Sequence, residues 1–359
     1  MEPGKQPEGL ALLGDRFNTL RYEEGRVILL DRRLYPFRTE FVVCKTVEDV
    51  ARAIEEMVVQ GGPPLAYAAG LGMVLAAEAA REHTAAEQRE RLRAAATRLL
   101  RTRPTADDLF QVVPTAQAVG EAALARSDDP AQAILTYVNG EIERGNRVAE
   151  ACGRHAATLV RDGDRILTHC IPGAALCWML YVAVHEQGKR VELWPSETRP
   201  YLQGARLTAA CGLETGVPVT VITDGMAAHA MAQGKVTLYV TAADRIAMDG
   251  HIANKVGTLE HAIAAHHFGI PYYVLGYDGP DPHTATGADI VIEERNPEEV
   301  LHCRGAEGTV RTAVPGAGAY YPAFDVTPPS LIEAIVTDKG IFPPRLISRY
   351  WQDQESTEG

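Results

Sequence analysis

From Asp162 onward the chain alternates β-type apolar runs with Ala-rich helical segments, and this alternation limits the fold more than any other feature. The runs are RILTHC (165–170), VELWP (191–195), VPVTVITD (217–224), VTLYVTAAD (236–244), IPYYVLGY (270–277) and ADIVIEE (288–294). Between them lie segments such as AALCWMLYVAVHEQG, QGARLTAACGLETG and TLEHAIAAHHFG, with glycines at 188, 216 and 269 where helices need a left-handed stop. Strands separated by helices of this length pair in parallel, with helices on both faces of the sheet. Such a sheet binds ligands beyond the carboxyl ends of its strands, where strand order reverses. The residues after each run are therefore the ones to inspect for chemistry.

The first 160 residues read as helical after a short β start at Val27–Leu30 and Glu40–Cys44. Thr46 with Asp49, and Thr84 with Glu87, have the spacing of helix capping boxes. Asp129-Pro130 opens a long helix toward Val160, placed to connect two domains. A chain of 359 residues suggests two domains, each able to bury its own core. The polar tail after Trp351 reads as frayed.

Lys+Arg number 35 and Asp+Glu 47, so the net charge is 35 − 47 = −12. A pI near 5.4 argues against a nucleic-acid partner, whose phosphates demand a basic surface. No apolar run is long enough to span a bilayer, and MEPGKQPEGL lacks the pattern of a secretory signal. The six cysteines are scattered without a C-x-x-C pair, as in a reduced cytoplasmic chain. The phosphate-binding glycine motifs, G-x-S-x-G and any His/Cys ligand cluster are missing, so no cofactor or metal is implied.

At the strand ends, Cys170 precedes a turn and an apolar helix. A nearby helix N-terminus favours its thiolate, while dry surroundings favour the thiol or a purely structural cysteine. Asp244 follows the 236–243 run and suits proton transfer if desolvated; the alternative is a solvated pair with Arg245. Asn254 and Lys255 precede another helix and suit a phosphate. Arg199, Gln203 and Arg206 suit an anion or sugar hydroxyls, or else pair with Glu197 for structure. In the N-terminal half, GGPP (61–64) and TRPTADDL (102–109), with Arg103, combine tight turns and a cation; glycines allow close backbone approach to a phosphate but also simply make turns.

Taken together, THC (168–170), ETRPYLQGARLTA (197–209), GVPVTVITDGMAAH (216–229), ADRIAMDGHIANKVGT (243–258), IEERNPEEV (292–300) and PAFDVTPPSLIEAIVTDKG (322–340) resemble the methylthioribose-1-phosphate isomerase family. TVEDVARAIEEMVVQGGPPLA and RPTADDLF match more loosely. Ribose-1,5-bisphosphate isomerase and the regulatory subunits of initiation factor 2B belong to the same superfamily. The resemblance implies an α/β fold, with a small, mostly helical N-terminal α+β domain (1–145) and a Rossmann-like parallel-sheet catalytic domain (146–359), usually as a homodimer. It also implies conversion of a 5-substituted ribose 1-phosphate to the ribulose 1-phosphate, in methionine salvage or in disposal of 5-deoxyribose. Cys170 and Asp244 fall on the catalytic positions. Gln60, Gly61, Gly62, Arg103, Gln203, Asn254 and Lys255 fall on substrate contacts.

This chemistry needs a proton donor to open the ring, which suits a protonated Asp244 in a dry site, and a route for hydrogen from C2 to C1. A Cys170 thiolate fits a base; a neutral thiol fits hydride transfer. Arg103 and Lys255 would neutralise the phosphate, and Arg245 must not engage Asp244. The chain departs from the family pattern at Gln60, where an Arg is expected, and at Ile171, Gly225, Asp249, His251 and Tyr321. Losing the cation at position 60 costs roughly 1.5–3 kcal/mol unless another replaces it. These departures point to a paralogue acting on a 5-deoxy or other 5-modified sugar. The competing expectations are ribose-1,5-bisphosphate isomerase, a non-catalytic sugar-phosphate or nucleotide sensor and, by analogy of fold alone, a nicotinamide-dependent oxidoreductase.

Overall fold

The computed structural model describes residues 6–103, 107–305 and 307–354. The end of the polar tail and part of the RPTADD loop lie outside them. The chain divides into two compact units, 1–6 with 15–146 and 7–14 with 147–359. The helix Pro130–Leu159 carries the chain from one into the other.

The N-terminal unit opens with a three-stranded antiparallel sheet, Leu20–Glu23, Arg26–Leu30 and Phe41–Cys44. The first strand lacks a legible sequence pattern, and its turn explains how it forms. Glu24 and Gly25 both adopt positive φ (47° and 76°), the two-residue turn that suits hairpin twist. Both expected capping boxes are present, at Thr46–Asp49 and Thr84–Glu87. Asp129 Oδ1 accepts the Ala131 N–H at 2.9 Å to start the long helix. Helix Gly62–Ala79 is buried almost throughout, and its small residues permit close packing. Its Leu71 and Met73 join Leu92, Leu99, Leu109 and Ile134 in the core.

The C-terminal unit is built on a six-stranded sheet. Its order is Gly340–Phe342, Ala334–Thr337, Tyr272–Tyr277, Leu238–Ala242, Arg165–Thr168, Glu192–Pro195, all parallel except the first strand. The 217–222 stretch extends the Glu192–Pro195 edge through bridges Leu193–Val219 and Ser196–Ile222. Strand order thus reverses between Arg165–Thr168 and Leu238–Ala242. Glycines 188, 216 and 269 take the expected positive φ (66°, 81° and 67°). The run 288–294 is not a sheet strand. It holds a short 3-10 turn, Gly287–Asp289, and only Glu294 bridges, to Pro322. Val291 is 90% exposed, so burial gives this run no reason to pair. The fully buried Ala334–Thr337 takes the place beside Tyr272–Tyr277 instead. No helix among the described residues is long and apolar enough to cross a membrane.

Two glycines give contrasting expectations. A Cβ at Gly204 would lie 1.7 Å from the Ser196 carbonyl oxygen, a backbone atom that cannot swing aside. Gly204→Ala should destabilise by about 3 kcal/mol or prevent folding. A Cβ at Gly225 meets nothing within 4 Å, so Gly225→Ala should stay within about 0.5 kcal/mol of the parent. Urea unfolding of both variants checks the pair.

Candidate active site

The reversal in strand order places two side chains at one edge of the sheet. Cys170 follows Arg165–Thr168, and Asp244 follows Leu238–Ala242. Cys170 sits in the left-handed region (φ 63°), which costs a non-glycine residue energy and needs support. Two threonines supply it. The Cys170 N–H donates to Thr198 Oγ1 at 2.8 Å, and Thr208 Oγ1 donates to the Cys170 carbonyl at 2.6 Å. Thr198 is left-handed too (φ 64°), and Asp224 holds it by accepting the N–H groups of Thr198 (2.7 Å) and Arg199 (2.8 Å).

His169 is a buried brace. Its Nε2 lies 2.9 Å from the Val256 carbonyl, which can only accept, so Nε2 carries the proton. Nδ1 then accepts from Ser196 Oγ at 2.6 Å. Burial and the neighbouring His261 hold its pKa down at about 3, so the ring is neutral.

A three-stranded ribbon, Arg245–Ile246, Ile252–Lys255 and Phe324–Thr327, delivers the cation. Lys255 lies opposite Phe324 and Asn254 opposite Asp325. Successive strand residues face opposite sides, so the two neighbours part. Asn254 Nδ2 donates to Thr258 Oγ1 at 2.9 Å. Lys255 is only 3% exposed, with its ammonium 4.8 Å from the Phe324 ring centre. Burial lowers its pKa, and the charge acts on both Cys170 and Asp244.

Burial pushes the Cys170 thiol up to about 11, Lys255 pulls it back and Asp244 adds to the rise. Surrounding protein raises the Asp244 carboxyl, opposed by Lys255 and then Arg295. Asp244 itself is exposed and Cys170 partly so. The site is therefore open rather than dry, with a carboxyl that a ligand can reach. Arg245 donates to Asp281 at 2.6 Å and Thr284 at 3.1 Å.

Arg295 enters directly after the 288–294 run that resembles a strand in the sequence. It meets Glu293 at 3.2 Å and acts on both Cys170 and Asp244. Its only sequence signal is its place within IEERNPEEV. Gln203 is buried, and its Oε1 lacks a hydrogen-bond partner. Arg199 and Arg206 support chain, donating to the Val300 and His302 carbonyls (3.0 and 2.7 Å) and the Tyr201 carbonyl (2.8 Å) respectively. Asp249 and His251 pair with each other at 2.9 Å within one turn.

Gln60, Gly61, Gly62 and Arg103 belong to the N-terminal unit. Gln60 Nε2 donates to the Met57 carbonyl at 3.2 Å, and the Gln60 carbonyl accepts from Arg32 at 2.6 Å. Gly61 has φ 90°, and a Cβ on Gly62 would lie 2.1 Å from Asp108 Oδ2. Arg103 Nε is buried without a hydrogen-bond partner.

A Rossmann-type strand order with a cysteine and a carboxyl at the reversal defines the class, and residues 58–344 match the Initiation factor 2 subunit family. Methylthioribose-1-phosphate isomerase of Thermosipho melanesiensis is 40% identical over 91% of this chain and 95% of the relative. That of Pelotomaculum thermopropionicum is 41% identical over 91% of each. The crystal structure of 5-methylthioribose 1-phosphate isomerase from Pyrococcus horikoshii covers all of both chains at TM-score 0.82 and 35% identity. The translation initiation factor eIF-2B subunit delta from A. fulgidus matches at TM-score 0.76 and 32% identity, over 90% of this chain and 95% of that one. The chain belongs to the methylthioribose-1-phosphate isomerase family, within the Initiation factor 2 subunit family.

The site geometry makes Cys170 a protonated thiol at neutral pH. With a pKa of about 11, its thiolate fraction at pH 7 is about one part in ten thousand. Its alkylation by iodoacetamide, followed by peptide mass spectrometry, should run about 100-fold or more below free cysteine at pH 7 and keep rising past pH 9. Lys255→Met should slow it further, because Lys255 favours the thiolate.

Proposed function

We propose that this protein is an aldose–ketose isomerase that converts a 5-substituted ribose 1-phosphate into the corresponding ribulose 1-phosphate. The observation that carries this reading is the placement of Cys170 and Asp244 at the reversal of strand order, beside a buried ammonium with no carboxylate partner among the described residues. A buried cation without a counter-ion is costly and suits a ligand that brings its own negative charge. Lys255 is the phosphate ligand.

In this scheme Asp244 donates its proton to the ring oxygen, and the C1–O4 bond breaks. The hydrogen on C2 moves to C1 with its electron pair, and C2 becomes the ketone. The proton of the C2 hydroxyl returns to the Asp244 carboxylate, so the enzyme ends as it began. A neutral Cys170 thiol supports this hydride route, since a proton-transfer route needs a thiolate base. The bound sugar itself removes water from the exposed Asp244. Gln203 binds sugar hydroxyls, and Asn254 fixes the turn that carries Lys255. The chain works as a homodimer.

The substituent on C5 is small and apolar, as in 5-methylthio- or 5-deoxyribose 1-phosphate. Asp249 and His251 satisfy one another and a Cβ at Gly225 meets nothing, so among the departures near Cys170 it is Ile171 that acts on the sugar.

Turnover of these two substrates in deuterium oxide tests the reading. Product without solvent deuterium at C1 is expected; its appearance there would replace hydride migration with proton transfer. Turnover of neither substrate would overturn the isomerase reading. Asp244→Asn should lower kcat by about 10²- to 10⁴-fold. Asp244 must be protonated to act, and its raised pKa retains the proton to higher pH than an ordinary carboxyl near 4. The kcat/KM profile should therefore fall as pH rises through a value above that, and a fall centred near 4 would remove Asp244 from the acid role.

A further inference from the structure

Three donors around the Phe324 ring lack an acceptor among the described residues. Lys255 Nζ is 4.8 Å from the ring centre, without a hydrogen bond. Arg295 gives Nε and Nη2 to Glu293, at 3.2 and 3.3 Å, and leaves Nη1 over. The Tyr321 hydroxyl is buried, in a residue only 3% exposed, has no acceptor of its own and lies beside the Arg295 guanidinium. The three are held together. The Arg295 guanidinium carbon stands 5.7 Å from the Phe324 ring centre and 5.8 Å from that of Tyr201. The Arg295 N–H donates to the Tyr321 carbonyl at 3.0 Å, and the Tyr321 ring centre is 5.8 Å from Lys255 Nζ.

Lys255 and Arg295 repel each other, and Arg295 contributes to the lowered Lys255 pKa. Glu293 neutralises one of these charges. A buried ammonium and a largely buried guanidinium around one ring, with a neutral hydroxyl donor beside them, form a donor set that a dianion satisfies. An aromatic-stacked guanidinium with one edge tied to a carboxylate presents the other edge in a fixed plane, which a lysine there would not do.

We propose that Arg295 is a ligand of the substrate phosphate, closing a two-cation clamp with Lys255, and that Tyr321 adds a neutral donor and fixes the plane of the guanidinium; this rests on the isomerase reading above. Nothing in this assignment depends on the group at C5.

Inorganic phosphate, used as a competitive inhibitor, is the probe. Arg295→Gln should weaken its inhibition and raise KM by about 10- to 150-fold, the value of a charged hydrogen bond, with kcat changing much less. The loss should be equal for 5-methylthio- and 5-deoxyribose 1-phosphate. Tyr321→Phe, which removes the hydroxyl alone, should weaken phosphate inhibition by about 3- to 10-fold. Unchanged phosphate inhibition with a collapsed kcat in Arg295→Gln would overturn the proposal, assigning Arg295 to Cys170 and Asp244. A loss that depends on the C5 group would overturn it as well. If Arg295→Gln does not fold, the wild-type enzyme decides. Saturating phosphate should slow phenylglyoxal modification of Arg295, mapped by peptide mass spectrometry; an unaltered rate refutes the clamp. Failure of the isomerase reading shows separately, as a wild-type protein that turns over neither sugar.

Discussion

The left-handed backbone at Cys170 is the constraint on which the candidate site depends. A β-strand that simply continued would send residue 170 along the sheet axis. The turn to φ 63° instead sets the thiol at the sheet edge before the next helix begins. That conformation persists because Thr198 and Thr208 take both backbone polar groups of Cys170. Thr198 is positioned in turn by Asp224, so three loops from different strand ends converge on one residue. The same edge has further left-handed residues at Leu202 and Tyr277. Strain collects where the chain must leave regular geometry to present side chains.

Electrostatics build on that frame. Cys170, Asp244, Lys255, Arg295 and Glu293 form one interacting set, in which each charge influences the protonation of its neighbours. The thiol stays protonated because burial outweighs the pull of Lys255. The carboxyl is raised despite two nearby cations, and Glu293 moderates Arg295. Charges that oppose one another in this way leave the net preference to ligand binding.

Much of this was legible in the sequence because local chemistry and global fold agree. Capping residues at Thr46 and Thr84, the C-terminal glycines and the central strands need only their own segment to be recognised. Cys170 and Asp244 follow from the rule that ligands sit at strand ends. The misses have a common cause in long-range context. ADIVIEE has the composition of a strand but no buried face, whereas AIVT at 334–337, hidden inside a Pro-rich motif, is buried on both sides. The error over 288–294 also concealed Glu293 and Arg295, which a loop, and not a strand, brings to the site. Thr198, Thr208 and Asp224 carry no signal beyond their places in ETRPYLQGARLTA and GVPVTVITDGMAAH, since their value lies in partners 26 to 38 residues distant. Arg199 and Arg206 resemble an anion site only until their carbonyl partners are seen.

The proton on His169 Nε2 has a consequence for selectivity. A cysteine beside a histidine is the starting material of a hydrolase, in which imidazole strips the thiol and the sulfur attacks carbonyl compounds. Here the ring is spent on Ser196 and the Val256 carbonyl, and its low basicity denies the sulfur a deprotonating neighbour. The adjacent pair is thereby disarmed: electrophiles diffusing past the open sheet edge meet an inert sulfhydryl, and the site keeps its cysteine without the liability of acylation.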